Sequence, residues 1–221
     1  MSRGYFVSLE GTEGSGKSTQ AALLVDRLRA GGFRARGLRE PGGTPLGEEI
    51  RHTLKHSQAG AGMVPEAELL LMNAARAQLV REVIQPALDA GEVVVTDRYF
   101  DSTVAYQGWG RGLDLARVRE VVALAVGSTV PDLTLLFDVP PEVSAARRRA
   151  RGLESGDSPG VDRFEREDEE FFDRVAAGFR AVAESDPARV VVVDGSEGVE
   201  AVSERVWEIV RARLELAQRG V

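Results

Sequence analysis

An eight-residue run near the N-terminus, Gly11-Thr12-Glu13-Gly14-Ser15-Gly16-Lys17-Ser18, follows the spacing G-x-x-x-x-G-K-[ST]. Tyr5 to Leu9 before it is β-rich and ends at Glu10. Lys17 to Ala30 after it carries Ala21, Leu24, Val25 and Leu28 at helical spacing, until Gly31-Gly32 stops it. A strand, a glycine-rich loop and a helix in that order form a phosphate cradle. Glycine admits the required φ values and close approaches, and the helix N-terminus offers unpaired N–H donors. By composition alone, a match somewhere in the chain has a chance probability of about 0.002. Lys17 is expected to reach the β- and γ-phosphates and Ser18 to ligate Mg²⁺. Thr19 extends the ATP-binding run that starts at Gly11.

Further short β-rich runs at Phe33 to Leu38, Val93 to Thr96, Leu133 to Phe137 and Val190 to Val193 are separated by helical sequence. Such alternation predicts one α/β domain over residues 1–221, a parallel five-stranded sheet flanked by helices on both faces. Pro65 to Asp89 reads as helix, with Pro86 expected to end or kink its last turn. Asp114 caps another helix, Pro141 to Arg151 starts a third, and Val199 to Gln218 is amphipathic. Gly152 to Asp162 has loop composition between charged helices, which fits a mobile lid at about 147–165 or a surface linker.

The 221 residues are 43% hydrophobic and 29% charged, which suits a folded core rather than disorder. A net charge of −7 opposes general nucleic-acid binding. No apolar run approaches the ~18 to 20 residues of a membrane helix, and Met1 to Glu10 lacks the pattern of a secretory leader. With no cysteine, and only His52 and His56 as imidazoles, Cys-ligated zinc and thiolate chemistry are excluded. These features lead us to expect a cytoplasmic protein with no membrane or nucleic-acid partner. The only lysines are Lys17 and Lys55, and neither follows an asparagine, so the Asn-Lys-x-Asp guanine motif of GTPases is missing. The loop alone still fits kinases, transport ATPases and partition-type regulators.

Asp97 ends a predicted strand, where a carboxylate can organise Mg²⁺-bound water or orient an acceptor, or else cap a helix or pair with Arg98. Arg98 offers a planar fork for an acceptor phosphate, or a structural ion pair. The run Val93 to Gln107, with Asp97-Arg98-Tyr99, Ser102 and Ala105-Tyr106-Gln107, resembles the thymidylate kinase signature. Arg39-Glu40-Pro41-Gly42-Gly43-Thr44, Ala75-Arg76 and Pro131-Asp132-Leu133-Thr134 are also similar to that family, and the resemblance extends from about Phe6 to about Gly195.

The resemblance implies a P-loop nucleoside monophosphate kinase fold and transfer of the ATP γ-phosphate to dTMP with Mg²⁺, within dTTP biosynthesis, by a homodimer joined through packed helices. It assigns Arg51 and Arg98 to the acceptor phosphate and Arg76 and Gln107 to the thymine edge. Tyr106 is assigned to the sugar and Glu13 to the 3′-hydroxyl, while Glu40, Pro41 and Ser102 line the acceptor site. Gly14 stands where some relatives carry a catalytic arginine. The bacterial type draws its charge from the lid, so Arg147, Arg149 and Arg151 become the expected source, with Arg163 after the glycine-rich stretch also basic. Arg147 and Arg151 share a helical face. Met72 departs from the family, in which a phenylalanine stacks on thymine; it either contacts the base through its thioether or fills the core.

Overall fold

The computed structural model describes residues 3–60, 62–154 and 163–219, and among these only the backbone of residues 59, 148, 149, 151–154, 165, 166, 218 and 219. The chain runs β1 (Tyr5–Gly11), α1 (Lys17–Ala30), β2 (Ala35–Arg39), α2 (Pro45–Lys55), α3 (Pro65–Leu79), α4 (Gln85–Asp89) and β3 (Val93–Asp97). It continues through α5 (Phe100–Thr103), α6 (Leu115–Val126), β4 (Leu133–Asp138), α7 (Pro141–Glu154), α8 (Glu169–Ser185), β5 (Val190–Asp194) and α9 (Val199–Arg219). All strands are parallel, in the order β2-β3-β1-β4-β5. The five-stranded α/β fold expected from the alternating pattern is therefore present.

β1 is central because both its faces are apolar enough to bury. Val7 and Leu9 point to one side with Val95, Leu135 and Phe137, packing against Leu24, Val25 and Leu28 of α1 and Val206 and Val210 of α9. Phe6 and Val94 point to the other side, meeting Leu69 and Leu79 of α3 and Val118, Val122 and Val126 of α6. Leu28 is fully buried, so Leu28→Ala would cost about 2–5 kcal/mol in transfer and cavity terms. Among the described residues, no helix is long and apolar enough to cross a membrane.

Helix starts follow their caps. Thr44 Oγ1 accepts from Gly47 N at 3.0 Å, with Pro45 at the first helical position; Asp114 Oδ1 accepts from Arg117 N at 2.9 Å. Pro86, expected to end or kink its helix, does not end it. A five-residue π-turn, Val80–Ile84, links α3 to α4, and Gln85 N reaches back to Val80 O. The wider turn absorbs the N–H that proline lacks, so helical backbone continues to Asp89. Gly152 likewise fails to interrupt α7, which runs to Glu154; one glycine costs a helix only about 1 kcal/mol.

Parallel strands place their C-terminal ends together, and the register sets Asp97 beside both Leu9 and Arg39. The loops after β1, β2 and β3 consequently open onto one crevice, where sheets of this kind present ligands.

Candidate active site

The loop joining β1 to α1 carries three glycines in the left-handed region, Gly11, Gly14 and Gly16. Gly14 is required twice over. Its φ is +79°, and a Cβ there would lie 2.8 Å from the carbonyl oxygen of Ser144 on α7. That crowding explains why this chain cannot carry an arginine at position 14.

Lys17 Nζ folds back over the loop, donating to Thr12 O at 2.7 Å and Ser15 Oγ at 3.2 Å. Burial, then the neighbouring Arg98, pushes its pKa down to about 8, against the pull of Glu13, Asp97 and Glu10. An ammonium held so close to losing its proton gains from any anion placed on the loop. Beside it, Ser18 Oγ donates to Asp97 Oδ2 at 2.5 Å, so two hard oxygens sit together at the start of α1.

Arg98 has φ +69°, which is uncommon outside glycine. Its own N–H donates to Leu9 O at 2.9 Å, and Thr96 Oγ1 donates to its carbonyl at 2.8 Å, so both neighbouring strands hold the turn. The turn aims the guanidinium at the loop. Nη1 donates to Gly11 O at 3.1 Å and Ser102 Oγ at 3.0 Å, and Nη2 to Glu13 Oε1 at 2.6 Å and Tyr106 Oη at 3.2 Å. Burial opposes its charge, but Tyr106, Glu13, Asp97 and Glu10 outweigh that and hold the pKa above that of an ordinary arginine. Beneath Ser102, Glu10 accepts from Ser102 Oγ at 2.5 Å and Tyr99 N at 2.7 Å. Burial, then the charge of Asp101, pushes Glu10 up to about 8.

Lys17, Ser18, Asp97 and Arg98 form the floor of a cleft of about 280 Å³. Glu13, Glu40, Pro41, Arg51, Met72, Arg76, Ser102, Tyr106 and Gln107 also line it. Every residue expected on the acceptor side is thus brought together with Glu13 and Arg98. Met72 faces the cleft from between two apolar clusters. Tyr106 is packed edge-on against Phe164, Phe171 and Phe179. Arg51 Nη1 donates to Pro41 O at 2.8 Å.

Arg76, expected at the thymine edge, lines the cleft with its guanidinium held by protein groups. Nε reaches Glu40 Oε2 at 2.8 Å, Nη1 reaches Asn73 Oδ1 and Thr103 Oγ1, each at 2.9 Å, and Nη2 reaches Tyr99 O at 3.2 Å and Glu40 Oε2 at 2.7 Å. Four hydrogen bonds and an ion pair with Glu40 hold Arg76 in the buried part of the cleft wall. Glu40 is raised by burial in spite of that partner, and its Oε1 is buried without one.

A second depression lies on the α7 side of the loop, lined by Gly14, Gly16, Thr19, Arg147, Gly195 and Glu197. Arg147 Nη1 donates to Gly195 O at 2.8 Å, which ties α7 to the turn after β5. Arg147 therefore stands at this second depression and not in the cleft at Arg98. The side chains of Arg149 and Arg151, and residues 155–162 of the expected lid, lie outside what is described. Arg163 is turned away from the loop, donating to Leu54 O at 3.1 Å and pairing with Glu68.

Sequence reasoning missed Phe164, Glu68 and the 195–199 turn. Gly195 and Gly198 were the only local signal for that turn. Phe164 and Glu68 reach the site through contacts distant in sequence, which leave no local pattern.

The description Thymidylate kinase belongs to the family model that matches residues 9–206. A thymidylate kinase of Synechococcus sp. (strain JA-2-3B'a(2-13)) is 49% identical over 215 residues, 97% of this chain and 98% of the relative. That of Thermomicrobium roseum is 48% identical over 216 residues, covering 98% of this chain and 97% of its own. The crystal structure of thymidylate kinase from Ehrlichia chaffeensis superposes with a TM-score of 0.73 at 30% identity, covering 94% of this chain and 99% of that one. With this extent of matching, the chain belongs to the thymidylate kinase family.

Proposed function

We propose that this chain transfers the γ-phosphate of ATP to dTMP, giving ADP and dTDP for dTTP synthesis. One observation carries the reading: Gly14, Gly16 and Thr19 line both the cleft at Arg98 and the second depression, so the phosphate loop stands between two adjoining concave sites. ATP occupies the second depression with its phosphates on the Gly11–Ser18 loop. dTMP occupies the other cleft with its phosphate at Arg98.

In-line transfer through a loose transition state asks the protein to align two anions, exclude water and balance spreading charge. Lys17 supplies charge at the β- and γ-phosphates, and Arg98 neutralises the acceptor phosphate so that the two anions can approach. Arg51 assists Arg98, and Arg147 closes the donor side. The lid arginines Arg149 and Arg151 are assigned the remaining charge that Gly14 does not provide.

Ser18 and Asp97 fit Mg²⁺, being adjacent hard oxygens at the phosphate end of α1. Among the described residues no cluster of three His, Cys, Asp or Glu exists, so these two side chains would hold the ion together with oxygens from outside the protein. Mg²⁺ when bound neutralises charge between the β- and γ-phosphates.

Homodimerisation through α3 and α6 is supported by Val64, Leu70 and Leu124, the last 83% exposed. Sedimentation of Leu124→Glu tests it, a monomer being expected. The cytoplasm, where its substrates are used, is the proposed location, and cell fractionation tests it.

Binding of each nucleotide to two variants tests the two-site reading. Lys17→Ala should weaken ATP and spare dTMP, and Arg98→Ala should do the reverse; equal loss of both ligands in both variants would contradict it.

A further inference from the structure

Glu68 on α3 is fully buried, and three side chains converge on its carboxylate. Gln107 Nε2 donates at 2.7 Å, and Arg111 donates through Nε at 3.2 Å and Nη2 at 3.0 Å. Arg163 donates through Nη2. Arg111 also pairs with Glu167 at 2.7 Å, so the network joins α3, the turn after α5 and the segment entering α8. Burying a carboxylate against two guanidinium groups is a weak way to gain stability, because desolvation offsets most of the attraction. Its effect on Gln107 is more specific.

A carboxylate flanked by two guanidinium groups accepts hydrogen bonds and donates none. A glutamine amide left to itself can turn either end toward a ligand, since its oxygen and nitrogen are nearly the same size. Glu68 breaks that symmetry. It draws the amide nitrogen to itself and leaves the carbonyl oxygen for an occupant of the cleft that Gln107 lines. The pyrimidine bases differ at the matching atom: thymine and uracil carry an N–H at ring position 3, whereas cytosine carries a bare acceptor.

We propose that Glu68 is a specificity-determining positioning residue: by fixing the Gln107 amide it makes the acceptor cleft select a base with a ring N–H and refuse one with a ring acceptor. The inference rests on the reading that Gln107 faces the acceptor base. A mismatched base sets acceptor against acceptor in a buried site, and sites built on buried hydrogen bonds discriminate strongly for that reason.

The test compares dTMP and dCMP in wild type, Glu68→Gln and Gln107→Leu, with dTMP followed by turnover and dCMP as a competitive inhibitor. Glu68→Gln keeps the side chain's shape but can present either end of its own amide, so Gln107 regains its freedom. The ratio of the dCMP inhibition constant to the dTMP KM should fall about tenfold, with kcat and the KM for ATP within about twofold of wild type. Glu68→Gln with Arg163→Gln removes the charge left over in the single variant and should show the same fall, which keeps the test available if the single variant does not fold. Gln107→Leu should raise the dTMP KM about tenfold or more. An unchanged KM in Gln107→Leu sinks the reading of Gln107 beneath the proposal. A raised KM there, with an unchanged ratio in the Glu68 variants, overturns the proposal itself and leaves Glu68 a structural residue.

Discussion

Ser144 on α7 donates its hydroxyl to the carbonyl of Glu13 at 2.6 Å, fastening the helix that leads into the lid directly to the phosphate loop. Glu13 is at once held by Arg98 at 2.6 Å, so one loop residue contacts both the donor-side helix and the acceptor-side arginine. Gly14 fits into the contact because it has no side chain.

Gly14→Ala should therefore be costly. Its methyl group meets both a left-handed φ and the Ser144 carbonyl at 2.8 Å, a combined strain of about 1–3 kcal/mol. We expect a lowered Tm and a raised KM for ATP, with dTMP binding largely retained. A variant as stable as wild type would mean that α7 is not pressed on the loop.

Lys17→Ala should keep the fold and reduce turnover about a hundredfold to a thousandfold, since it removes a charge aimed at the transferring phosphate. The wild type offers a second check. Lys17 must be charged to act, and its pKa is pushed down to about 8, so kcat/KM for ATP should fall as pH rises through about 8 in the free enzyme. A profile flat to pH 10 would place the ammonium elsewhere.

Glu10 makes a prediction about stability. Its pKa is raised from 4.5 to about 8, so the folded protein holds a proton there that the unfolded chain releases. That contribution is complete below about pH 4.5 and is lost as pH rises through about 8. Glu10→Gln, which stays neutral, should lose less stability than wild type between pH 5 and pH 8 in denaturant titrations. Parallel curves for the two proteins would show that Glu10 is ionised throughout.

The elements carrying the chemistry were legible where the signal is local. The loop from Gly11 to Ser18 and the Asp97-Arg98 pair each occupy a short run with fixed spacing, and the structure sets them side by side because parallel strands end together. Arg76 was legible as a cleft residue but not as one held by protein groups, since its acceptors lie as far as 36 positions away in sequence. Glu68 and Arg163, 95 positions apart, meet only through tertiary packing. Pro86 reads as an end or kink and Gly152 as a stop because propensity describes an isolated helix, whereas a π-turn carries helical backbone past Pro86 and α7 runs on to Glu154.

Met72 lines the cleft where a flat ring would give a broader surface to a base. Met72→Phe should lower the KM for dTMP by a few-fold and leave kcat and the KM for ATP unchanged, because a thioether contact is worth only about 0.3–1.5 kcal/mol. Unchanged constants for both nucleotides would show that Met72 does not meet the base.

The central claim is that this protein phosphorylates dTMP at the expense of ATP, and a coupled ADP-release assay across dTMP, dUMP, dCMP, dGMP and thymidine tests it most directly. We predict the highest kcat/KM with dTMP, far weaker turnover with dCMP and dGMP, none with thymidine, and little ATP hydrolysis when no acceptor is present. ATP turnover that does not depend on a monophosphate, or a preference for an acceptor other than dTMP, would contradict the account.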